Sequence, residues 1–226
     1  MLHILDNPAW QALNSVDSHF NLGDDLVGYL PAEVSPFAAL PTWTKENQSI
    51  LYDRLPEGRS WSAMLKEQVV FSDKWELVFT TPLWQMICHT LIPVQMGSVD
   101  CRPLNHSHIP AMLALTALTK PGPFGERTIE FGNYHGIFVN DELVAMSGER
   151  LHFDAFTEIS AVCTHPDHLG KGYAAMLVSL IAEKIVAEGK TPILHVRSDN
   201  DRAINMYERL GFEKRSDIYF GVFKRK

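Results

Sequence analysis

The sequence predicts an α/β (α+β) fold, clearest in the second half of the chain. Two observations carry the prediction. Residues 134–164 alternate apolar and polar positions between short polar turns, which is the signature of adjacent strands. A glycine-containing turn then opens a long segment with apolar residues at helical spacing, and a second strand, a short helix and a last strand follow. The 226 residues are 46% hydrophobic and 21% charged, a composition that excludes disorder as the main state and suffices for a core without disulfides. Three cysteines are too few for a disulfide framework and read as reduced thiols in a cytoplasmic protein.

The first hundred residues offer little punctuation beyond Pro31, Pro36 and Pro41. Within them, Trp61 to Val70 is predicted to be a helix and Trp75 to Thr80 a strand. Gly97 to Pro103 breaks the pattern and places a boundary near residue 100, giving an N-terminal α/β region over residues 1–100 and a second domain over residues 101–226. No residue before position 100 belongs to a chemical motif.

After the boundary, Ser107 and Pro110 start a helix that ends before the Pro121-Gly122-Pro123 turn. Tyr134–Val139 and Leu143–Arg150 make a hairpin about Asn140-Asp141-Glu142, and Phe156–Thr164 extends it to an antiparallel meander. A helix from about Gly172 to Ala187 carries Leu177, Val178, Ile181 and Ile185 on one side and stops at Gly189. Thr191–Arg197 is an apolar strand, Asp201–Leu210 a short helix, and Ile218–Phe223 the terminal strand after a polar stretch at Lys214–Asp217.

The chemistry concentrates where the strand ending at Cys163 turns into the long helix. The first turn of a helix leaves backbone amides without acceptors, and the helix dipole adds positive potential there. Gly170 and Gly172 let a phosphate approach that backbone closely, and Lys171 adds a point charge. The segment is neither a Walker A loop nor a dinucleotide fingerprint, since Gly172 stands where Ser or Thr is required and a third glycine is absent. A glycine pair that simply makes a tight turn explains it equally well. Further on, Asn200, Ala203 and Tyr207 fall on one face at the start of the short helix.

Taken together, His165-Pro166-Asp167-His168-Leu169-Gly170-Lys171-Gly172-Tyr173-Ala174 and the run from Asn200 to Phe212 resemble the two signature segments of the GNAT superfamily of N-acetyltransferases, and the likeness covers about residues 102–226. Gly172 and Ala174 fit the family pattern, whereas Leu169 stands where Arg or Gln is usual. The resemblance implies a mixed central sheet and acetyl-CoA lying between the strands that contain Cys163 and Thr191–Arg197. It assigns the diphosphate to Leu169, Gly170, Lys171, Gly172, Tyr173 and Ala174, and the pantetheine arm to Val162, Cys163, Thr164, Asn200 and Ala203. Tyr207 matches the general acid for the leaving thiolate. Glu158 is the first candidate for general base, on the expectation that a partly buried carboxylate has a raised pKa, and Glu149 is the second.

The implied activity is transfer of an acetyl group to a small-molecule or peptide amine. A non-catalytic CoA-sensing module on the same fold is the alternative, for which Leu169 speaks. The N-terminal region would then be a substrate cap or a degenerate second copy of the acyltransferase fold. Cys163 with His165 or His168 also fits a covalent route, but direct attack is simpler. Cys163, His165, His168, His106 and His108 lack the intervals of a structural zinc site, so no metal is expected. The net charge of −7 argues against nucleic-acid binding, although an acidic chain could favour a cationic amine. No segment is long and apolar enough to span a bilayer, and a homodimer is compatible with the sequence.

Overall fold

The computed structural model describes residues 3–226. Pro8 opens helix α1 (Pro8–Leu13) at a position where its missing amide costs nothing. Strands β1 (Gly28–Tyr29) and β2 (Ala38–Ala39) pair as a small ribbon. Helix α2 (Lys45–Arg54) is capped by the Thr44 hydroxyl, which accepts from the Asn47 amide. Strands β3 (Trp61–Leu65) and β4 (Trp75–Ile87) follow, then β5 (Cys101–Pro103) and helix α3 (Ile109–Thr119). The chain continues through β6 (His135–Val139), β7 (Glu142–His152), β8 (Phe156–Thr164), helix α4 (Tyr173–Ala187), β9 (Thr191–Arg197), helix α5 (Asp201–Arg209) and β10 (Glu213–Arg225).

Eight strands form one sheet in the order β3-β10-β4-β9-β8-β7-β6-β5. Asn140 and Asp141 both adopt positive φ and reverse the chain between β6 and β7, as a tight hairpin requires. The meander β6-β7-β8 is antiparallel, and α4 then carries the chain over one face so that β9 lies parallel to β8. The sheet is therefore mixed, as the resemblance implied.

The first hundred residues differ from their sequence-based reading in three ways. Trp61–Leu65 is a strand, not the start of a helix. All five of its residues are buried, because β10 pairs with it while the N-terminal segments cover it, so no period-two alternation betrays it. Strand β4 runs on to Ile87, and β10 absorbs the polar stretch Lys214–Asp217 by pairing with β4 through a register shift. Finally, β3 and β4 flank β10, and β4 pairs with β9, so the sheet crosses the boundary expected at residue 100. Strands β3 and β4 do not pair with each other, and nothing in residues 3–100 repeats the meander.

Two apolar layers cover the sheet. On one face Val178, Ile181 and Ile185 of α4 pack with Ile204 and Tyr207 of α5 against Met86, Ile159 and Leu194. On the other, Leu5, Ala12 and Leu13 beside Met112 and Leu115 cover Met146 and Ile193.

Candidate active site

Strands β8 and β9 pair from Phe156 opposite Thr191 to Ile159 opposite Leu194, and no further. The parting has a local cause. Gly148 lies opposite Ser160 but Met146 lies opposite Cys163, so β8 carries an extra residue, and Ala161 takes up a left-handed backbone there. Such a bulge bends its strand and leaves backbone groups without ladder partners. A cavity of about 870 Å³ opens where the strands separate, lined by Ser160–Thr164 on one side and His195–Arg197 on the other.

At one end of the cavity is the start of α4. Gly170 and Gly172 have φ of 81° and 80°, a backbone that side-chain-bearing residues rarely adopt. The Met176 amide donates to the Gly172 carbonyl at 3.0 Å, and no side chain caps the helix, so the amides of Tyr173, Ala174 and Ala175 have no intrahelical acceptor. Leu169, Gly170, Gly172, Tyr173 and Ala174 all line the cavity. Lys171 is not on its wall; its Nζ lies 3.1 Å from His168 Nδ1.

Helix α5 forms the adjoining wall. Asn200 Oδ1 accepts from the Ala203 amide at 3.2 Å, capping the helix, and both residues line the cavity. Tyr207 lies with its ring in the α4–α5 core, edge-on to Phe212. It lines the cavity, and its hydroxyl has no hydrogen-bond partner among the described residues. Burial pushes its pKa above the usual tyrosine value, so the hydroxyl keeps its proton. Val162, Cys163 and Thr164 complete the predicted set on the β8 side. Burial pushes the Cys163 thiol up to about 11, although hydrogen bonds to Thr119 and the Met146 backbone pull the other way, so a thiolate nucleophile is disfavoured.

Glu158 does not fit the role of general base. It is fully buried, is absent from the cavity wall, and binds Arg150 through Nε at 2.9 Å and Nη2 at 2.5 Å. His195 Nδ1 lies 2.7 Å from Oε1, the oxygen that also accepts from Arg150 Nη2. Burial alone would raise its pKa, but Arg150 and His195 outweigh that and hold the carboxyl well below the usual range. It is thus a structural anion and a feeble proton acceptor. Glu149 is also engaged, with Asn133 at 2.9 Å and His152 at 3.2 Å. Among the described residues, no group of three or more His, Cys, Asp or Glu is placed to hold a metal ion.

Reading the sequence missed the charge on the cavity. Lys120, Arg150, Arg197, Arg202 and Arg209 line it, and among the described residues no Asp or Glu does. Arg197 is paired with Asp199 at 2.6 Å, whereas Arg202 and Arg209 have no carboxylate within 4.0 Å among the described residues. Arg150 is likewise bound to Glu158, so the positive potential on this wall of a −7 protein rests on Lys120, Arg202 and Arg209. Residues 158–226 hold 11 of the 20 Lys and Arg, and of these Arg197, Arg202 and Arg209 stand on this wall while three form the Lys224–Lys226 tail.

Comparison with known proteins agrees with this geometry. A family model described as FR47-like protein matches residues 134–220. An acetyltransferase of Yersinia pestis is 41% identical over 58 residues, which is 25% of this chain and 41% of the relative. One from Pectobacterium atrosepticum is 45% identical over 58 residues, again 41% of its length. The match thus spans about two-fifths of the curated relatives. A crystal structure from Novosphingobium aromaticivorans, assigned to the GNAT family of acetyltransferases, superposes over 100% of both chains with a TM-score of 0.92 and 28% identity. A GCN5-related N-acetyltransferase from Kribbella flavida shares the fold, with a TM-score of 0.57 over 79% of this chain and 74% of its own at 19% identity. Fold, matched segment and relatives together point to the GNAT superfamily.

Proposed function

We propose that this protein transfers the acetyl group of acetyl-CoA to a primary amine, small molecule or peptide, by direct attack. The observation that carries the proposal is a single cavity with free helix amides at one end and the unpartnered Tyr207 hydroxyl in its wall, passing between two parted parallel strands. The group fits what is present: three free amides and two unpaired arginines suit the phosphates, and the volume suits a ligand of this size. Acetyl-CoA supplies a thioester whose carbonyl carbon takes the amine lone pair, so that a C–N bond forms, the C–S bond breaks and CoA leaves as thiolate.

The chain's own groups have three tasks. The amides of Tyr173, Ala174 and Ala175 hold the diphosphate, with Gly170 and Gly172 removing the Cβ atoms that would obstruct it. Lys171 is left out of that role by its position. The backbone amide of Val162 or Cys163, at the bulge, donates to the carbonyl oxygen as negative charge develops on it. Tyr207 donates its proton to the departing sulfur, while Asn200 and Ala203 flank the pantetheine arm.

Among the described residues no carboxylate faces the cavity, so the acceptor nitrogen gives its proton to water. The cationic wall favours the neutral amine, since a nearby positive charge lowers an ammonium pKa. The N-terminal segments, which cover the sheet face opposite α4, would enclose the acceptor. The test is thermal: acetyl-CoA should raise Tm, and Tyr207→Phe should keep that shift while cutting amine-dependent thiol release by about a hundredfold. An unchanged Tm at millimolar acetyl-CoA would overturn the proposal, and binding with no turnover on any amine would favour a sensor.

A further inference from the structure

The cavity passes from the α4 side of the sheet to the opposite face, where Thr119, Lys120 and Pro121 at the end of α3 face Arg150 and His195. With a diphosphate at the α4 end and the reacting carbonyl near Val162, the acceptor occupies this far side. Its chemistry is unusual for a site that must attract an amine. Two cations and no carboxylate face it, so an ammonium is repelled and an amine with no other charge has little to hold it.

Arg150 is only partly paired. Glu158 takes its Nε and Nη2, but Nη1 has no protein partner among the described residues, and the side chain is 11% exposed, on the cavity wall. Packing of the guanidinium over the Phe37 ring, 5.1 Å from its centroid, fixes its plane. Tyr134 stands on the same face. Its ring covers Gly148, where a Cβ would come within 2.4 Å of it, and Gly148 is the ladder partner of Ser160 in the cavity wall. The Tyr134 hydroxyl is buried and makes no hydrogen bond, and Arg150 is among the charges acting on it. A buried donor without an acceptor is costly, but Tyr134 is not on the cavity wall, which leaves Arg150 Nη1 as the donor that faces a ligand there.

We infer that the acceptor is an amine that also bears a carboxylate, an amino acid in the simplest case, and that Arg150 Nη1 holds that carboxylate. The inference rests on the acetyl-transfer reading above. A carboxylate would satisfy that donor, and it brings the negative charge that the cavity lacks. It also leaves the amine free to approach the thioester in its neutral form, where an acidic pocket would keep it protonated.

The experiment compares amino acids with their carboxamides and decarboxylated amines as acceptors, reading thiol release from acetyl-CoA. The carboxylated member of each pair should have the higher kcat/KM by about ten- to a hundredfold, the range for a charge-assisted hydrogen-bonded pair. Arg150→Lys keeps a cation for Glu158 but loses the planar fork, and should close most of that gap. On the CoA-saturated protein, an amino acid should raise Tm further and its amide should not. Equal rates across the pairs, preference for the decarboxylated amines, or no carboxylate-dependent Tm shift would each overturn the inference while leaving the acetyl-CoA reading intact. Absence of any acetyl-CoA-induced Tm shift would instead remove the reading beneath it, and the inference with it.

Discussion

On the face of the sheet beneath α4 and α5, Met86, Ile159, Leu194 and Val196 meet helix side chains that are almost wholly aliphatic. On the other face the same strands carry a line of polar groups. Arg150 and Glu158 bond across β7 and β8, His195 on β9 meets Glu158, and Gln85 on β4 lies 2.9 Å from His195 Nε2. Gln85 Oε1 accepts from Arg215 on β10 at 2.6 Å, and Arg215 continues to Asp6 at 2.6 Å, which Lys66 also binds at 2.8 Å. Because the Gln85 carbonyl is spent on Arg215, its amide donates both to the Leu5 carbonyl and to His195, whose remaining nitrogen donates to Glu158. The line crosses five neighbouring strands and ends in the N-terminal segment. Aliphatic packing tolerates small shifts, whereas bonded charges accept one register only. The polar face therefore fixes the first hundred residues against the half that carries the cavity.

The largest effect should follow from breaking that line at its centre. Glu158→Gln leaves Arg150 buried without a counter-charge and should cost about 3–5 kcal/mol of stability. Urea unfolding measures it. If Glu158 were a general base, the variant would instead fold normally and lose rate with an altered pH profile. The aliphatic face should behave differently: Ile181→Ala should cost roughly 2–4 kcal/mol as a cavity, but Ile181→Val only about 1 kcal/mol. A loss from the conservative change as large as that from alanine would mean that this face, too, is a tight specifier.

Charge also ties Asp17 to β7. His152 Nδ1 lies 2.8 Å from Asp17, and Nε2 lies 3.2 Å from Glu149. Burial would lower the His152 pKa, but the hydrogen bonds to Asp17 and Glu149 raise it to about 9. A pKa raised above its unfolded value stabilises fully below about pH 6.5 and loses that stabilisation as pH rises through about 9. Stability should therefore fall by on the order of 2 kcal/mol between pH 7 and pH 10, and a His152→Gln variant should show a flatter profile. A profile unchanged by the substitution would place the pH dependence elsewhere.

The same contrast explains what could be read from the sequence. The second half is punctuated locally: Asn140-Asp141 marks its hairpin, Gly172 and Gly189 bound its long helix, and Asn200 caps the next. The pairing Arg150–Glu158–His195 has no such marker, because its members meet through strand register and not through spacing. A trace existed nonetheless. Gln85, Glu158 and His195 each interrupt an otherwise apolar strand, and three such interruptions on neighbouring strands indicate that they satisfy one another. Strand β3 differs for the converse reason: covered on both faces, Trp61, Ala63, Met64 and Leu65 are apolar on either side of Ser62, a pattern without alternation in which helix and strand look alike.

The smallest effect, and the one that separates backbone from side-chain recognition, concerns Leu169. Its side chain is 48% exposed at the edge of the cavity, one residue before the left-handed Gly170. If the amides of Tyr173–Ala175 hold the diphosphate, the binding energy lies in the main chain, and a side chain at position 169 contributes only a solvent-screened charge. Leu169→Arg should then tighten acetyl-CoA by no more than about fivefold, in line with an exposed ion pair of under about 1 kcal/mol. The gain should shrink between 50 and 500 mM salt as the added charge is screened. Gly172→Val gives the opposing measurement: it forces a branched side chain onto a backbone with φ of 80° and should weaken acetyl-CoA binding far more than Leu169→Arg strengthens it. Were arginine at 169 to improve affinity by a hundredfold while valine at 172 left it unchanged, the amides at the head of α4 would not be the phosphate site, and the glycines would serve only to make the turn.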